Sequence, residues 1–184
     1  MPGDVLEPAC DPIRPQAGLS LVELSIVLVL LAVLAAVALN RIWAIQADAE
    51  RVSLEYFVGS LKSAVGIKVA SLVARDDFPG ILALVNSNPM DQLSELPRNY
   101  RGIQTGDAPL AVDGGEWYFD RAQHMLVYRV RNAELFRGGF GPPAEARFLL
   151  VPLYEDRNRN GRFDTGDAIQ NVRLEAVRPY QWKP

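Results

Sequence analysis

The 184-residue chain has one cysteine and one histidine. A single thiol, Cys10, excludes an internal disulfide and a thiolate zinc site. A lone His124 with no second histidine or cysteine near it excludes the usual metal and nucleophile sets, so His124 reads as an exposed turn residue. A phosphate-cradling glycine-rich loop and a nucleophile elbow are also missing, and the carboxylate pair Asp76-Asp77 reads as a solvated loop. The expectation is a protein that is not an enzyme. Excess positive charge is lacking too: 19 Lys and Arg stand against 22 Asp and Glu, a formal charge of −3. This balance argues against a general nucleic-acid binder. Hydrophobic residues at 49% and charged residues at 22% exclude a disordered chain. Gly 14 and Pro 13 are near ordinary usage and exclude a collagen-like one.

What is present is uneven. The mean hydropathy of +0.02 averages a greasy segment with a polar, turn-rich remainder. From Leu19 to Leu39 the chain reads LSLVELSIVLVLLAVLAAVAL, with Glu23 as its single charge. As a helix rising about 1.5 Å per residue it spans roughly 30 Å, the thickness of a bilayer core. A secretory signal has a shorter apolar region behind a basic one. Here the preceding residues carry Asp4, Glu7 and Asp11 against Arg14. A carboxylate inside such a segment costs a few kcal/mol and marks a functional position unless it snorkels to the headgroups.

Gly18-Leu19-Ser20-Leu21-Val22-Glu23-Leu24, followed by the apolar run, closely resembles the class III signal of type IV pilins and type II secretion pseudopilins. The resemblance covers residues 18–55. It implies cleavage by prepilin peptidase between Gly18 and Leu19, and methylation of the new N-terminus. It also implies that Glu23 pairs with the α-ammonium of a neighbouring subunit in a filament. An unpaired carboxylate in an apolar core is strongly penalised, so that pairing selects one axial register. The family's first mature residue is usually phenylalanine, and here it is Leu19. Many relatives carry a proline near position 40; Asn40 keeps its N–H, so no built-in kink is expected. The resemblance also implies a cytoplasmic leader, whose removal would take Cys10 with it.

The helix is expected to continue, since no proline occurs from Asn40 to Val73. Ile42, Ile45, Ala49, Val52, Tyr56 and Leu61 form a stripe expected to pack on a sheet, with Asp48, Glu50, Arg51, Glu55 and Lys62 at polar positions. The run Asp76-Asp77-Phe78-Pro79-Gly80 ends the pattern. Residues 80–115 read as irregular, with a helical turn at Ile81–Val85 and turns around Asn88–Asp91 and Leu96–Tyr100. Met90, Tyr100 and Trp117 read as packing residues. Glu116–Asp120 and Met125–Arg131 form a hairpin pattern, and Arg147–Tyr154 and Ala168–Val177 two further strands. The expected fold is α+β: a long N-terminal helix, its first half transmembrane, packed on a small antiparallel β-sheet head. The divisions are a leader at 1–18, a transmembrane or filament-core helix at 19–39, its amphipathic continuation at 40–75, and a four-stranded head at 76–184.

The run from Asp156 to Asp167 is a second motif. Asp156, Asn158, Asn160, Gly161, Asp164 and Asp167 fall at positions 1, 3, 5, 6, 9 and 12 of a loop that resembles an EF-hand calcium loop. Arg162 would supply the backbone carbonyl at position 7, and Phe163 would anchor the loop to the core. The flanks are strand-like, position 12 is Asp where Glu is usual, and Arg157, Arg159 and Arg162 offset the carboxylates. The same residues also read as a solvated Asn-Gly turn.

These features imply a structural subunit of a type IV pilus-like or type II secretion filament. Its partners would be prepilin peptidase, other pilin or pseudopilin subunits, an inner-membrane assembly platform and the membrane. It would start in the inner membrane with a periplasmic head and end in a periplasmic or extracellular filament, with Ca2+ as its cofactor. Two alternatives stay open: a single-pass anchored protein with a calcium-dependent binding head, and a minor pilin specialised for adhesion or DNA uptake.

Overall fold

The computed structural model describes residues 20–105, 111–163 and 167–183. The chain divides into two compact units, Met1–Arg41 and Ile42–Pro184. The first long element, α1 (Leu21–Val73), is a 53-residue helix with residues in both.

In the first unit α1 is apolar on every side. Leu21, Val29 and Val37 are 83%, 65% and 66% exposed. A helix that is apolar all round is one that a membrane or other helices must cover. It is the one helix among the described residues long and apolar enough to cross a membrane.

In the second unit α1 buries one stripe: Ala47, Leu54, Val58, Leu61, Val65, Val69 and Leu72. The spacing of three, four or seven keeps these side chains on one face. Each fully buried Leu or Val contributes about 1.5–3 kcal/mol. This corrects the stripe expected from sequence. Of that set only Leu61 is buried; Ile42, Ile45, Ala49, Val52 and Tyr56 are exposed. The helix carries two apolar faces, and periodicity alone does not say which one meets the sheet.

The helix stops before Asp76, whose φ of 52° is left-handed. Asp77 then caps α2 (Phe78–Val85), accepting a hydrogen bond from the Gly80 N–H at 2.9 Å. A Cβ on Gly80 would lie 2.4 Å from Asp77 Oδ2 and 2.8 Å from Leu72 Cδ2, so glycine permits this tight reversal. The expected helical turn at Ile81–Val85 is thus the end of a capped helix. Asn88 begins a 3-10 turn (Pro89–Gln92) that buries Met90, and its amide donates to the Tyr100 hydroxyl at 2.9 Å.

The main sheet holds β1 (Tyr100–Gln104), β2 (Glu116–Asp120), β3 (Met125–Arg129), β5 (Glu145–Glu155) and β6 (Ala168–Ala176), in the order β1-β2-β3-β5-β6. A second small sheet pairs β4 (Phe136–Gly138) with β7 (Tyr180–Trp182). The α+β class stands, but the sheet is mixed and has five strands, since β1 runs parallel to β2. Arg101 of β1 ion-pairs with Glu116 of β2. That hydrogen bond, and the Asp113 N–H at 2.8 Å, hold the Glu116 carboxyl down at about 2.

The inner face of the sheet brings Trp117, Phe119, Leu126, Tyr128, Phe148, Leu150, Val172 and Leu174 into one core with the helix stripe. Trp117 is its hub, with ring centroids 5.0 Å from Phe57, 4.8 Å from Tyr128 and 5.8 Å from Phe148.

Candidate functional site

Two segments carry the chemistry read from the sequence, and they are built differently. In the first, Gly18 and Leu19 lie outside the described residues. Ser20 stands just before α1, and its Oγ accepts the Glu23 N–H at 3.1 Å. Ser20-Leu21-Val22-Glu23 is therefore a capping sequence: the hydroxyl satisfies a helix-start donor, and an acidic residue sits in the first turn, where the helix dipole favours it. The capping signal was legible in the Ser-x-x-Glu spacing, but the sequence reading did not use it. Glu23 is exposed, and among the described residues its side chain makes no ion pair.

The second segment joins β5 to β6. Both oxygens of Asp156 accept backbone N–H groups, from Asn160 at 3.2 Å and Gly161 at 2.8 Å. Asn158 Oδ1 accepts the Asn160 N–H at 3.0 Å, and Asn160 Oδ1 accepts the Arg162 N–H at 2.7 Å. Asp167 Oδ1 accepts the Arg157 N–H at 3.2 Å and closes the loop from its far end. Arg159 and Gly161 have φ of 57° and 72°, which winds the chain tightly. Phe163 anchors the loop as expected, 5.4 Å from Phe78 and 5.0 Å from Tyr154 between ring centroids. Asp164 lies outside the described residues. The loop's potential donors are hard oxygens, the chemistry calcium takes. Among the described residues, no group of three or more His, Cys, Asp or Glu side chains is gathered closely enough to hold a metal. Asn158 and Asn160 would contribute neutral amide oxygens.

The sequence reading missed a third feature, centred on Glu50. From α1 its carboxylate accepts four hydrogen bonds. Oε1 takes the Tyr128 hydroxyl at 2.9 Å and the Arg131 N–H at 2.7 Å. Oε2 takes the Asn132 N–H at 2.9 Å and the Asn132 side-chain amide at 2.7 Å. Burial, and then the Glu50 charge, push the Tyr128 phenol well above its ordinary range, so it stays a donor. Glu50 was assigned only a polar position on the helix. Its partners lie 78 to 82 residues away, and no local pattern points to them. His124, at φ 52° in the β2–β3 turn, meets the Asn86 carbonyl through Nδ1 at 2.9 Å.

No curated protein and no solved structure matches the chain significantly. Residues 13–39 match the family model of the prokaryotic N-terminal methylation motif, so the chain carries the class III signal of type IV prepilins.

Proposed function

We propose that the chain is a structural subunit, a pilin or pseudopilin, of a type IV pilus-like or type II secretion filament. The observation that carries this reading is the methylation motif on a helix whose first 20 or so residues are apolar on every side. The motif implies processing by prepilin peptidase and assembly with other pilin-type subunits. In the proposed pathway the peptidase cuts between Gly18 and Leu19. The apolar part of α1 holds the subunit in the inner membrane with its head in the periplasm. An assembly platform then moves it into the filament, where α1 packs on other subunits and Glu23 meets a neighbour's new α-ammonium. Removal of the leader places that ammonium beside Ser20, next to the helix start.

The test is the intact mass of the protein from membranes of cells with and without prepilin peptidase. The expected species in peptidase-positive cells begins at N-methylated Leu19, and the uncut chain accumulates in the other strain. An uncut chain in both would overturn the filament reading in favour of a permanent anchor.

The loop from Asp156 to Asp167 is proposed to bind calcium through Asp156, Asn158, Asn160, Asp164 and Asp167, with the Arg162 carbonyl. The oxygen-only donor set and the tight winding through Gly161 support it. A bound ion would hold the β5–β6 connection in a chain whose mature part has no cysteine. At a calcium concentration of about 100 times Kd, native-state binding adds about 2.7 kcal/mol, or roughly 5–10 °C in Tm. Asp156→Ala combined with Asp167→Ala is expected to abolish that shift. Equal melting of the parent chain in calcium and in chelator would contradict the proposal.

A further inference from the structure

We propose that two copies of the chain pair through the outer face of α1, as a parallel, in-register helix pair along residues 42–56. This face is the apolar stripe that remains when the opposite side of the helix covers the sheet. Ile42, Ile45, Ala49, Val52 and Tyr56 recur at spacings of three, four, three and four. That is the spacing of positions a and d in a heptad, the seam along which one helix meets a second. Ile42, Ala49 and Tyr56 fall at a, Ile45 and Val52 at d. The stripe is bare: Ile45, Val52 and Tyr56 are 60%, 55% and 78% exposed. Past Tyr56 the same positions hold Gly59, Ser63 and Gly66, which offer no apolar side chain to insert, so the seam ends there.

The surface has the shape that such a pair needs. Ile45, Asp48, Ala49, Val52, Ser53 and Tyr56 border about 570 Å3 of open space. Each seam side chain of a coiled coil inserts into a hole made by four residues of the facing helix. In a parallel pair Ala49 enters the hole of the partner's Ile45, Asp48, Ala49 and Val52. Val52 enters the hole of the partner's Ala49, Val52, Ser53 and Tyr56. Together those two holes are made by the residues that border this space.

Charge selects the direction. One flank of the seam carries Asp48 and Glu55, the other Gln46, Ser53 and Ser60. Arg51 ion-pairs with both acids and leaves their flank net negative. An antiparallel pair would set two acidic flanks against each other, whereas a parallel pair sets Asp48 and Glu55 against the partner's Ser53 and Ser60. Ile42 follows Leu39 by three residues in sequence. The apolar run that the proposed function places in the membrane therefore confines both copies and raises their effective concentration. The pair rests on that membrane placement and on neither cleavage nor filament growth. Glu23 meeting a neighbour's α-ammonium staggers two helices; an in-register pair is a different contact, made by subunits not yet assembled.

The experiment uses the full chain with Cys10→Ser and Val52→Cys, in membranes isolated from cells that lack prepilin peptidase. Diamide takes up the two thiol hydrogens and leaves a disulfide between copies. Coupling into a two-copy species is expected, since a d residue faces its own counterpart across a parallel seam. Glu95→Cys, exposed on the head, is expected to stay uncoupled. Ile45→Asp added to Val52→Cys is expected to weaken the pair about tenfold or more, because it places a charge in an apolar seam. Ser53→Lys faces the partner's Asp48 and is expected to strengthen self-association about threefold, read by dilution in detergent micelles. In an antiparallel pair the two added lysines would meet and weaken it. Melting of each variant checks that the head stays folded. Coupling at Val52→Cys no greater than at Glu95→Cys, coupling unchanged by Ile45→Asp, or weakening by Ser53→Lys each overturns the proposal. A chain missing from the membrane fraction overturns the anchoring with it; an anchored chain that does not couple overturns the pair alone.

Discussion

Glu23→Ala is expected to leave cleavage and membrane insertion intact and to abolish filaments. On the proposed function, the variant places one subunit's α-ammonium in an apolar core with no carboxylate to meet it. Removing one partner of a buried ion pair costs about 3–5 kcal/mol. At 1.4 kcal/mol per factor of ten, that is at least a hundredfold in the association constant of every added subunit. Because a filament repeats the contact, a modest loss per subunit becomes complete loss of polymer. Glu23→Gln keeps the size and separates charge from shape, and it is expected to fail almost as badly. Filament yield by shearing or immunoblot, beside intact mass, is the measurement. Parental filament levels from Glu23→Ala would remove the pairing role and leave Glu23 as a helix-start residue whose backbone N–H meets Ser20.

Glu50→Ala is expected to destabilise the head by about 3 kcal/mol. Hydrogen bonds to a charged group are worth about 1.5–3 kcal/mol each and are not additive. Glu50 accepts four, from Tyr128, Arg131 and two groups of Asn132. Water reaches part of this half-buried site and replaces some of what is lost, which brings the sum down. In a domain of this size the loss lowers Tm by roughly 6–12 °C. Arg51 provides the contrast one position away. It pairs with Asp48 at 3.6 Å and Glu55 at 3.4 Å on the exposed face of the same helix. Such pairs contribute about 0.3–0.5 kcal/mol, so Arg51→Ala should barely move Tm. Thermal melts of the two variants side by side decide the point: equal, small shifts would show that the Glu50 bonds are replaced by water without loss.

The sequence was most informative where the signal was local and repeated. The apolar run, the end of α1 before Asp76, and the β2–β3 hairpin follow from composition and period. β1 was not legible: in Tyr100-Arg101-Gly102-Ile103-Gln104 only two residues are strongly apolar, and its partner in the parallel pair lies beyond a crossover. β4 and β7 are three residues each, too short for any period to register. The buried face of α1 was misread because Ile45, Val52 and Tyr56 keep helical spacing as well as Leu54, Val58 and Val65 do. The candidate loop was readable from its Asp and Asn spacing, since Asp156, Asn158 and Asn160 accept N–H groups no more than five residues away and Asp167 reaches back only ten, to Arg157. Glu50 was not, because its meaning depends on residues brought to it by the rest of the fold.

The order in which α1 and its sheet occur along the chain has a consequence during synthesis. The helix face from Leu54 to Leu72 leaves the ribosome first, and every strand that covers it comes later. Trp117, Phe148 and Leu174 all belong to its core. The bond from Asn132 to Glu50 closes a loop of 82 residues. Contacts this distant in sequence are made late, after the loop entropy has been met. A nascent chain halted before β5 would therefore expose both the membrane-length segment and the uncovered helix face at once. Such a chain has two reasons to aggregate and, at that moment, no sheet to prevent it. The time spent in that state is set by how quickly the ribosome reaches β6.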